Sequence, residues 1–391
     1  MLTVYFLIKS WRDRGFCFII SEYSTWQNNQ VHSYLPLSRV TSIMKASQTP
    51  KVSIVLPSLN NRQYLEERFE TILNQTFTDW ELVIIDNYSD DGAWELIKEF
   101  AQRDTRFRIS QAPREGIYIN WNNCIRLARG EYIYIATNDD TMTPDCLEKM
   151  VKALEQYPDC EICHVKCKII DGKGKELKGY WEKLPASQFY GDLMNKSHIR
   201  FAPYDGILYC ALSTVYFGPL QLLIRRSVFD KVGFFPLEWG SEGDFEWGMR
   251  AALVCNTIHI PETLVAWRIH PQQSTNIQAH KTSAQKIRFI EMVQAALPIL
   301  EKYNPEFYKR LRLEKLLFIY RRQQLRAAIK EACQWDQKLR CVWNFLTLSP
   351  TFLAEFLYRR TFFPRTQSDD LTYIQEELKI LGLEQSIKIL D

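Results

Sequence analysis

"VSIVLPSLNNRQYLEERFETILNQTFTDWELVIID" occupies residues 52–86. It opens on one short apolar run, Val52–Pro57, and closes on another, Trp80–Asp86. Between them Leu65, Phe69, Ile72 and Leu73 fall on one face of a helical pattern. Both apolar runs are continuous rather than alternating, which is how a strand covered on both faces reads. Strand, helix, strand at this interval is the unit of a parallel sheet.

The rhythm continues beyond Asp86. A helix carrying Trp94, Ile97 and Ala101 leads to "FRIS" (107–110), a weaker strand, and a helix through Trp121, Ile125 and Ala128 leads to "YIYIA" (132–136). Thr143 and Pro144 then mark a helix start, with Leu147, Met150, Val151 and Leu154 as its buried stripe. The predicted class is α/β, a nucleotide-binding fold with a mainly parallel central sheet, followed by a helical C-terminal region. The expected division is 1–50, a poorly ordered extension; 51–279, the α/β domain; and 280–391, the helical region. Residues 1–50 carry no sustained period and end in a Ser/Thr/Gln-rich linker. Met44 opens a more usual beginning for the domain that follows.

Composition narrows the function. A chain of 391 residues exceeds one ordinary domain, and 46% hydrophobic with 24% charged residues is a globular balance. A net charge of +3 gives no argument for nucleic acid. No run of about 18 apolar residues suggests a membrane span. Lys9, Arg12, Asp13 and Arg14 break up the apolar N-terminus, which lacks the order of a secretory signal. The ten cysteines are therefore expected as reduced thiols in a cytoplasmic protein. "CEICHVKCKII" (160–170) has the spacing of a haem attachment site, but it alternates like a strand between two turn signals. Cys160, Cys163, His164 and Cys167, alternating across a strand, would not converge on one zinc ion.

In an open parallel sheet, ligands sit at the carboxyl ends of the strands. Those ends carry Ser58 to Asn61, Asp86 to Asp91, and Asn138 to Asp140. Asp139 and Asp140 place paired negative charge at the mouth of a core strand. Beside an anionic ligand they would repel it unless a divalent cation lay between, and hard oxygen ligands suit Mg2+ or Mn2+. No glycine-rich phosphate loop follows the first strand. Pro57-Ser58-Leu59-Asn60 stands there instead.

Taken in order, the Pro-x-x-Asn turn, the Gln75-Thr76 helix exit, the Asp86 loop, the Ala-x-Gly-Glu-Tyr lead-in and the acidic cluster closely resemble family 2 glycosyltransferases of the GT-A fold, over about residues 51–275. The resemblance implies an inverting enzyme that uses a nucleotide sugar, commonly a UDP-sugar, in polysaccharide or cell-envelope synthesis. It implies donor contacts from Pro57, Ser58, Leu59 and Asn60, with Leu59 where the family commonly has an aromatic. Asp86 matches the residue that hydrogen-bonds the nucleobase, although Asn87-Tyr88-Ser89 departs from the usual Asp-Gly-Ser. Asn138-Asp139-Asp140 matches the acidic metal motif. Asn138 and Asp139 are expected at the donor, Asp139 and Asp140 at the metal, with His270 of "WRIHPQQST" as a further ligand. In "WGSEGDFEWGMRAAL", Asp244 matches the base, and Gly243 stands where the family has Glu. Glu246, the rival carboxylate, is about 160° round the helix and is expected to face solvent. Arg225 and Arg226 are assigned no chemistry.

The remaining regions say less. "YKRLRLEKLLFIYRRQQLR" (308–326) reads as a basic helical cap with a possible peripheral contact to the inner membrane face. The expected partners are a nucleotide sugar and a saccharide or lipid-linked acceptor, the latter set by residues 176–220. Two other classes compete. A sugar-nucleotide pyrophosphorylase would need a glycine-rich basic loop after the first strand. A non-catalytic member that only binds its ligand is consistent with Asn138 and Gly243.

Overall fold

The computed structural model describes residues 49–212, 215, 216, 218–273, 282–348, 352 and 368–390. The expected N-terminal extension lies outside the described residues, and the chain from Ser47 onward forms one unit. The strands are β1 (Val52–Ser58), β2 (Trp80–Asp86), β3 (Phe107–Gln111), β4 (Tyr132–Ile135), β5 (Thr141–Met142), β6 (Ile162–Asp171), β7 (His198–Arg200), β8 (Leu222–Arg225), β9 (Thr257–Ile269) and β10 (Ile387–Ile389). The main helices are α1 (Arg62–Leu73), α2 (Ala93–Arg103), α3 (Ile117–Leu127), α4 (Cys146–Gln156), α5 (Tyr204–Leu212), α6 (Gly243–Val254), α7 (Ser283–Tyr303), α8 (Phe318–Glu331), α9 (Trp335–Leu348) and α10 (Ser368–Ile380).

One sheet runs in the order β10-β7-β9-β6-β8-β4-β1-β2-β3, with β5 paired off this path to β9. Its first-half strands, β3-β2-β1-β4, are all parallel. β8 enters antiparallel beside β4, and β9 lies parallel to β6. The register of β1 on β2 runs from Val52 opposite Trp80 to Ser58 opposite Asp86, so the two polar loops leave the sheet side by side.

The continuous apolar runs are explained by burial on both faces. Val52, Ile54 and Leu56 pack into one core with α1, α2 and α4, while Val55 points to the other. Tyr132 and Tyr134 of β4 join the first core, and Ile133 and Ile135 the second. The lead-in glycine has a steric cause. A Cβ on Gly130 would lie 2.6 Å from the Ser53 backbone nitrogen, and the Gly130 amide donates to Ser53 Oγ at 2.8 Å.

The C-terminal helices are an extension of the second core. Phe289, Met292, Tyr320 and Ile374 pack in the same cluster as Trp121 and Trp247. β10 returns to pair antiparallel with β7 at the sheet edge, a pairing that no periodicity near residue 387 foreshadows. β6 is the strand expected around "CEICH". Cys160, Cys163 and Cys167 are buried in the first core, and His164 faces His259 with their Nδ1 atoms 3.0 Å apart.

Candidate active site

The loops after β1 and β2 are tied together by their own side chains. Asn60 adopts a left-handed backbone with φ of 50°, which Asn tolerates better than most residues. Its Nδ2 donates to Asp90 Oδ1 at 2.8 Å, and its Oδ1 accepts from the Asp90 amide at 3.0 Å. Arg114 closes the loop from above, donating to the carbonyls of Asn87 and Tyr88 and to Asp90 at 2.9 Å. Arg114 holds the Asp90 carboxyl below its ordinary range. Leu59 and Tyr88 are left exposed on the two loops.

Asp86 is fully buried at the end of β2. Its Oδ1 accepts from the Ser89 hydroxyl at 2.6 Å, and its Oδ2 accepts from the Ser89 amide and from Gln111. A carboxylate oxygen has two acceptor sites, so Oδ1 retains capacity for one further donor. Asn138 spans from β4 to β1, its Nδ2 donating to the Pro57 carbonyl at 3.1 Å. Ser58 Oγ, Asn138 Oδ1 and His270 Nδ1 are buried without a hydrogen-bond partner. Buried polar atoms are nearly always paired, and these three lie at the carboxyl ends of β1, β4 and β9, where polar groups of a ligand would meet them.

The acidic pair divides into two environments. Asp140 is buried, its Oδ1 accepting from the Arg268 amide at 2.8 Å and its Oδ2 from the Thr137 hydroxyl. Burial, then the neighbouring Asp139 charge, push its carboxyl up to about 8. Each of its oxygens thus accepts one hydrogen bond from the fold. Asp139 instead meets His270, with Nε2 at 2.9 Å from Oδ2. Arg268 sets this loop, donating to the Asp139 carbonyl at 2.7 Å and to Glu67 at 2.6 Å, with its guanidinium over the Tyr64 ring. Sequence reasoning passed over Arg268, although it lies two residues before His270.

Among the described residues no group of three or more His, Cys, Asp or Glu could hold a metal ion. Asp139 supplies a hard oxygen and His270 an imidazole nitrogen 2.9 Å from it. A magnesium or manganese ion takes few protein ligands and completes its shell with substrate phosphate and water.

On the other half of the site, Asp244 lies in the first turn of α6, half-buried. The Tyr118 hydroxyl of α3 is 2.8 Å from its Oδ1. Burial pushes the Asp244 carboxyl up to about 6, with the Tyr118 hydrogen bond acting the other way. It borders a cavity of about 10 Å³ with Tyr209, Tyr216, Trp247 and Gly248, room for about one water.

Glu246 does not face solvent as expected. It is buried and clamped by Arg250, whose Nε is 2.8 Å from Oε1. Arg250 also donates to the carbonyls of Val232 and Phe234, so the pair anchors α6 to the preceding loop. Glu242 is buried as well, accepting from Gln285 and Arg288 of α7. Gly243 has no room for a side chain. A Cβ there would lie 2.7 Å from the Pro236 carbonyl oxygen and 3.0 Å from the Tyr118 ring. Arg225 bonds the carbonyls of Cys160 and Leu154, a structural corner. A separate cavity of about 480 Å³ is bordered by Tyr190, Tyr204, Gln375 and Lys379 and contains none of these site residues.

Residues 53–232 match the family model described as glycosyl transferase family 2. EpsH of Bacillus subtilis, named a glycosyltransferase, is 30% identical over 159 residues, 41% of this chain and 44% of that protein. Chondroitin synthase of Escherichia coli is 36% identical over 101 residues, 26% of this chain and 15% of that protein. The chain thus spans less than half the length of these relatives. The crystal structure of S. aureus TarS 1–349 in complex with UDP-GlcNAc covers 85% of this chain and 92% of its own, with a TM-score of 0.54 and 14% identity. The fold is therefore that of GT-A glycosyltransferases, and residues 53–232 carry the match to glycosyl transferase family 2.

Proposed function

We propose that this family 2 glycosyltransferase moves a sugar from a nucleoside-diphosphate donor, a UDP-sugar by preference, to a hydroxyl of a saccharide or lipid-linked acceptor, with inversion at C1. One observation carries the proposal: Asp244 stands at the head of α6 with one oxygen on the Tyr118 hydroxyl and a small cavity beside it, where burial pushes its carboxyl up toward the range of a base that works near neutral pH. In a single displacement the acceptor O–H breaks and its proton passes to Asp244. The acceptor oxygen bonds to C1 from the far side as the bond from C1 to the phosphate oxygen breaks, and the nucleoside diphosphate leaves.

The donor would lie across the ends of β1, β2 and β4. Asp86 would accept from the base, and the orphan atoms of Ser58 and Asn138 would find partners on the nucleotide. Asp139 and His270 are the residues that would hold a magnesium or manganese ion, which would offset charge on the departing diphosphate. Asp140 holds the loop in place. A UDP-GlcNAc complex in the same fold supports the donor class. The chondroitin synthase relative supports a growing saccharide as acceptor.

A lipid-linked acceptor would bring the protein to a membrane surface. Trp335, Leu339 and Trp343 recur at helical spacing on α9 and are all exposed, beside Lys338 and Arg340, a pattern suited to peripheral contact. Among the described residues no helix is long and apolar enough to cross a membrane.

The test is a thermal-shift screen of nucleotide sugars with and without manganese. One donor should raise the melting temperature selectively and in a metal-dependent way, by the stabilisation that ligand linkage requires. That donor should then be hydrolysed slowly when no acceptor is present. A flat screen across all donors, with and without metal, overturns the proposal.

A further inference from the structure

We infer that Tyr118 is a positioning residue for the base, its phenol steering the Asp244 carboxylate from a space that Gly243 leaves open. The inference rests on the reading of Asp244 as the base.

The geometry is specific. The Tyr118 hydroxyl lies 2.8 Å from Asp244 Oδ1 and 2.9 Å from the Ser241 carbonyl oxygen. A phenol has one proton and two acceptors here. It donates to Asp244 while that carboxylate is charged. Once Asp244 takes the acceptor's proton, the phenol proton can turn to Ser241. Tyr118 keeps its own proton throughout, because burial and the Asp244 charge raise its pKa well above the ordinary value.

The ring is held as a fixed part would be. It is buried, stacked on Phe235 at 5.8 Å and edge-on to Trp121 at 5.5 Å. Phe235 in turn packs on Trp247 of α6 at 5.0 Å. Asn122, one turn further along α3, exchanges two hydrogen bonds with the Phe235 backbone, at 2.8 and 3.0 Å. The site at 243, where the resemblance implies Glu, is closed by the same ring, 3.0 Å from where a Cβ would stand. The chain thus has a phenol across space where the pattern has a carboxylate along the chain.

Asp244 is also faced by Glu242 of its own loop, whose charge raises its pKa, and by Tyr209 and Tyr216 across the cavity. Glu242 is engaged by Gln285 and Arg288. Tyr118 is the group bonded directly to the carboxylate through a side chain.

The experiment measures kcat and kcat/KM against pH for the full chain and its Y118F variant, with the donor found by the screen. A hydrogen bond to the charged form lowers a carboxyl pKa, so its loss should move the acid limb up by about one pH unit. At pH 6 the rate should fall about fivefold, with the donor KM unchanged. Should Y118F fail to fold, 3-fluorotyrosine at position 118, nearly the same size and a stronger donor, should move the limb down instead. D244N is run beside them. If D244N turns over like the wild type, the base reading fails. If D244N loses turnover while the Tyr118 replacements leave the limb in place, the base stands and the Tyr118 inference is overturned.

Discussion

His270 Nε2 lies 2.9 Å from Asp139 Oδ2, although 131 positions separate the two residues in the chain. β5 and β9, which carry their neighbours, pair antiparallel with Thr141 opposite Ala266, and this brings the two segments together. If the pair holds a divalent ion, D139A and H270A should each weaken manganese-dependent nucleotide binding at least tenfold, while metal-independent binding of the nucleotide changes little. Loss of an outer partner or ligand typically costs a metal site that much. Calorimetric titration of UDP with and without manganese measures it. Affinities equal to wild type in both variants would remove the pair from the metal site.

Asp140 should behave in the opposite way. Its oxygens accept from the Arg268 amide and the Thr137 hydroxyl, so D140A leaves one buried and one half-buried donor unpaired. The expected loss is about 1–3 kcal/mol of folding stability, read by urea denaturation, with D139A close to wild type. The manganese dependence of the folded D140A protein should survive. If D140A is as stable as wild type and has lost the metal response, the two aspartates have exchanged roles.

That contrast shows what was legible in the sequence. Continuous apolar runs identified β1, β2 and β4, because burial on both faces leaves that mark on every residue. Strand ends then located Asp86 and Asp139 without any knowledge of side chains. Adjacent residues at one strand end look alike as text, and only the returning β9 distinguishes them. Its Arg268 amide claims Asp140, and its His270 faces Asp139. Glu246 was misjudged for a related reason. Helical geometry placed it correctly away from Asp244, but that side of α6 is covered, and Arg250 one turn on neutralises it. Tyr118 carries no signal, since a tyrosine in a helix reads as core.

Glu81 gives a stability prediction with a pH signature. It is buried on β2 opposite Ser53 of β1 and bonded by Ser53, Arg108 and Arg129. Burial alone would raise its pKa, but those hydrogen bonds and the Arg108 charge outweigh it and hold the carboxyl below its ordinary 4.5. A depressed carboxyl stabilises the fold above the unfolded pKa and loses that effect as pH falls. E81A should cost about 2–4 kcal/mol near pH 7, less than the full worth of a buried pair because both arginines are partly solvated. The gap between wild type and E81A should narrow below about pH 4. A gap that stays constant from pH 7 to pH 3 would show that Glu81 acts through packing alone.

The two carboxylates of α6 provide the last prediction. Asp244 and Glu246 sit two residues apart in the first turn, both with raised pKa, and burial is the first cause in each. Acidity does not separate them, but their partners do. Glu246 is bonded by Arg250 through three contacts of 2.8–2.9 Å, so its charge is already committed to the fold. Asp244 meets an uncharged phenol and borders the small cavity. D244N keeps the size of the side chain but cannot accept the acceptor's proton. Turnover should fall by roughly two to four orders of magnitude, the usual worth of a positioned base, with donor affinity retained because the donor loops lie elsewhere. E246Q should leave kcat within about threefold of wild type and instead lower the melting temperature, since Arg250 loses its charged partner. Steady-state kinetics and thermal melts on both variants decide it. If E246Q loses turnover while D244N keeps it, Glu246 is the base and the site must be built around Arg250.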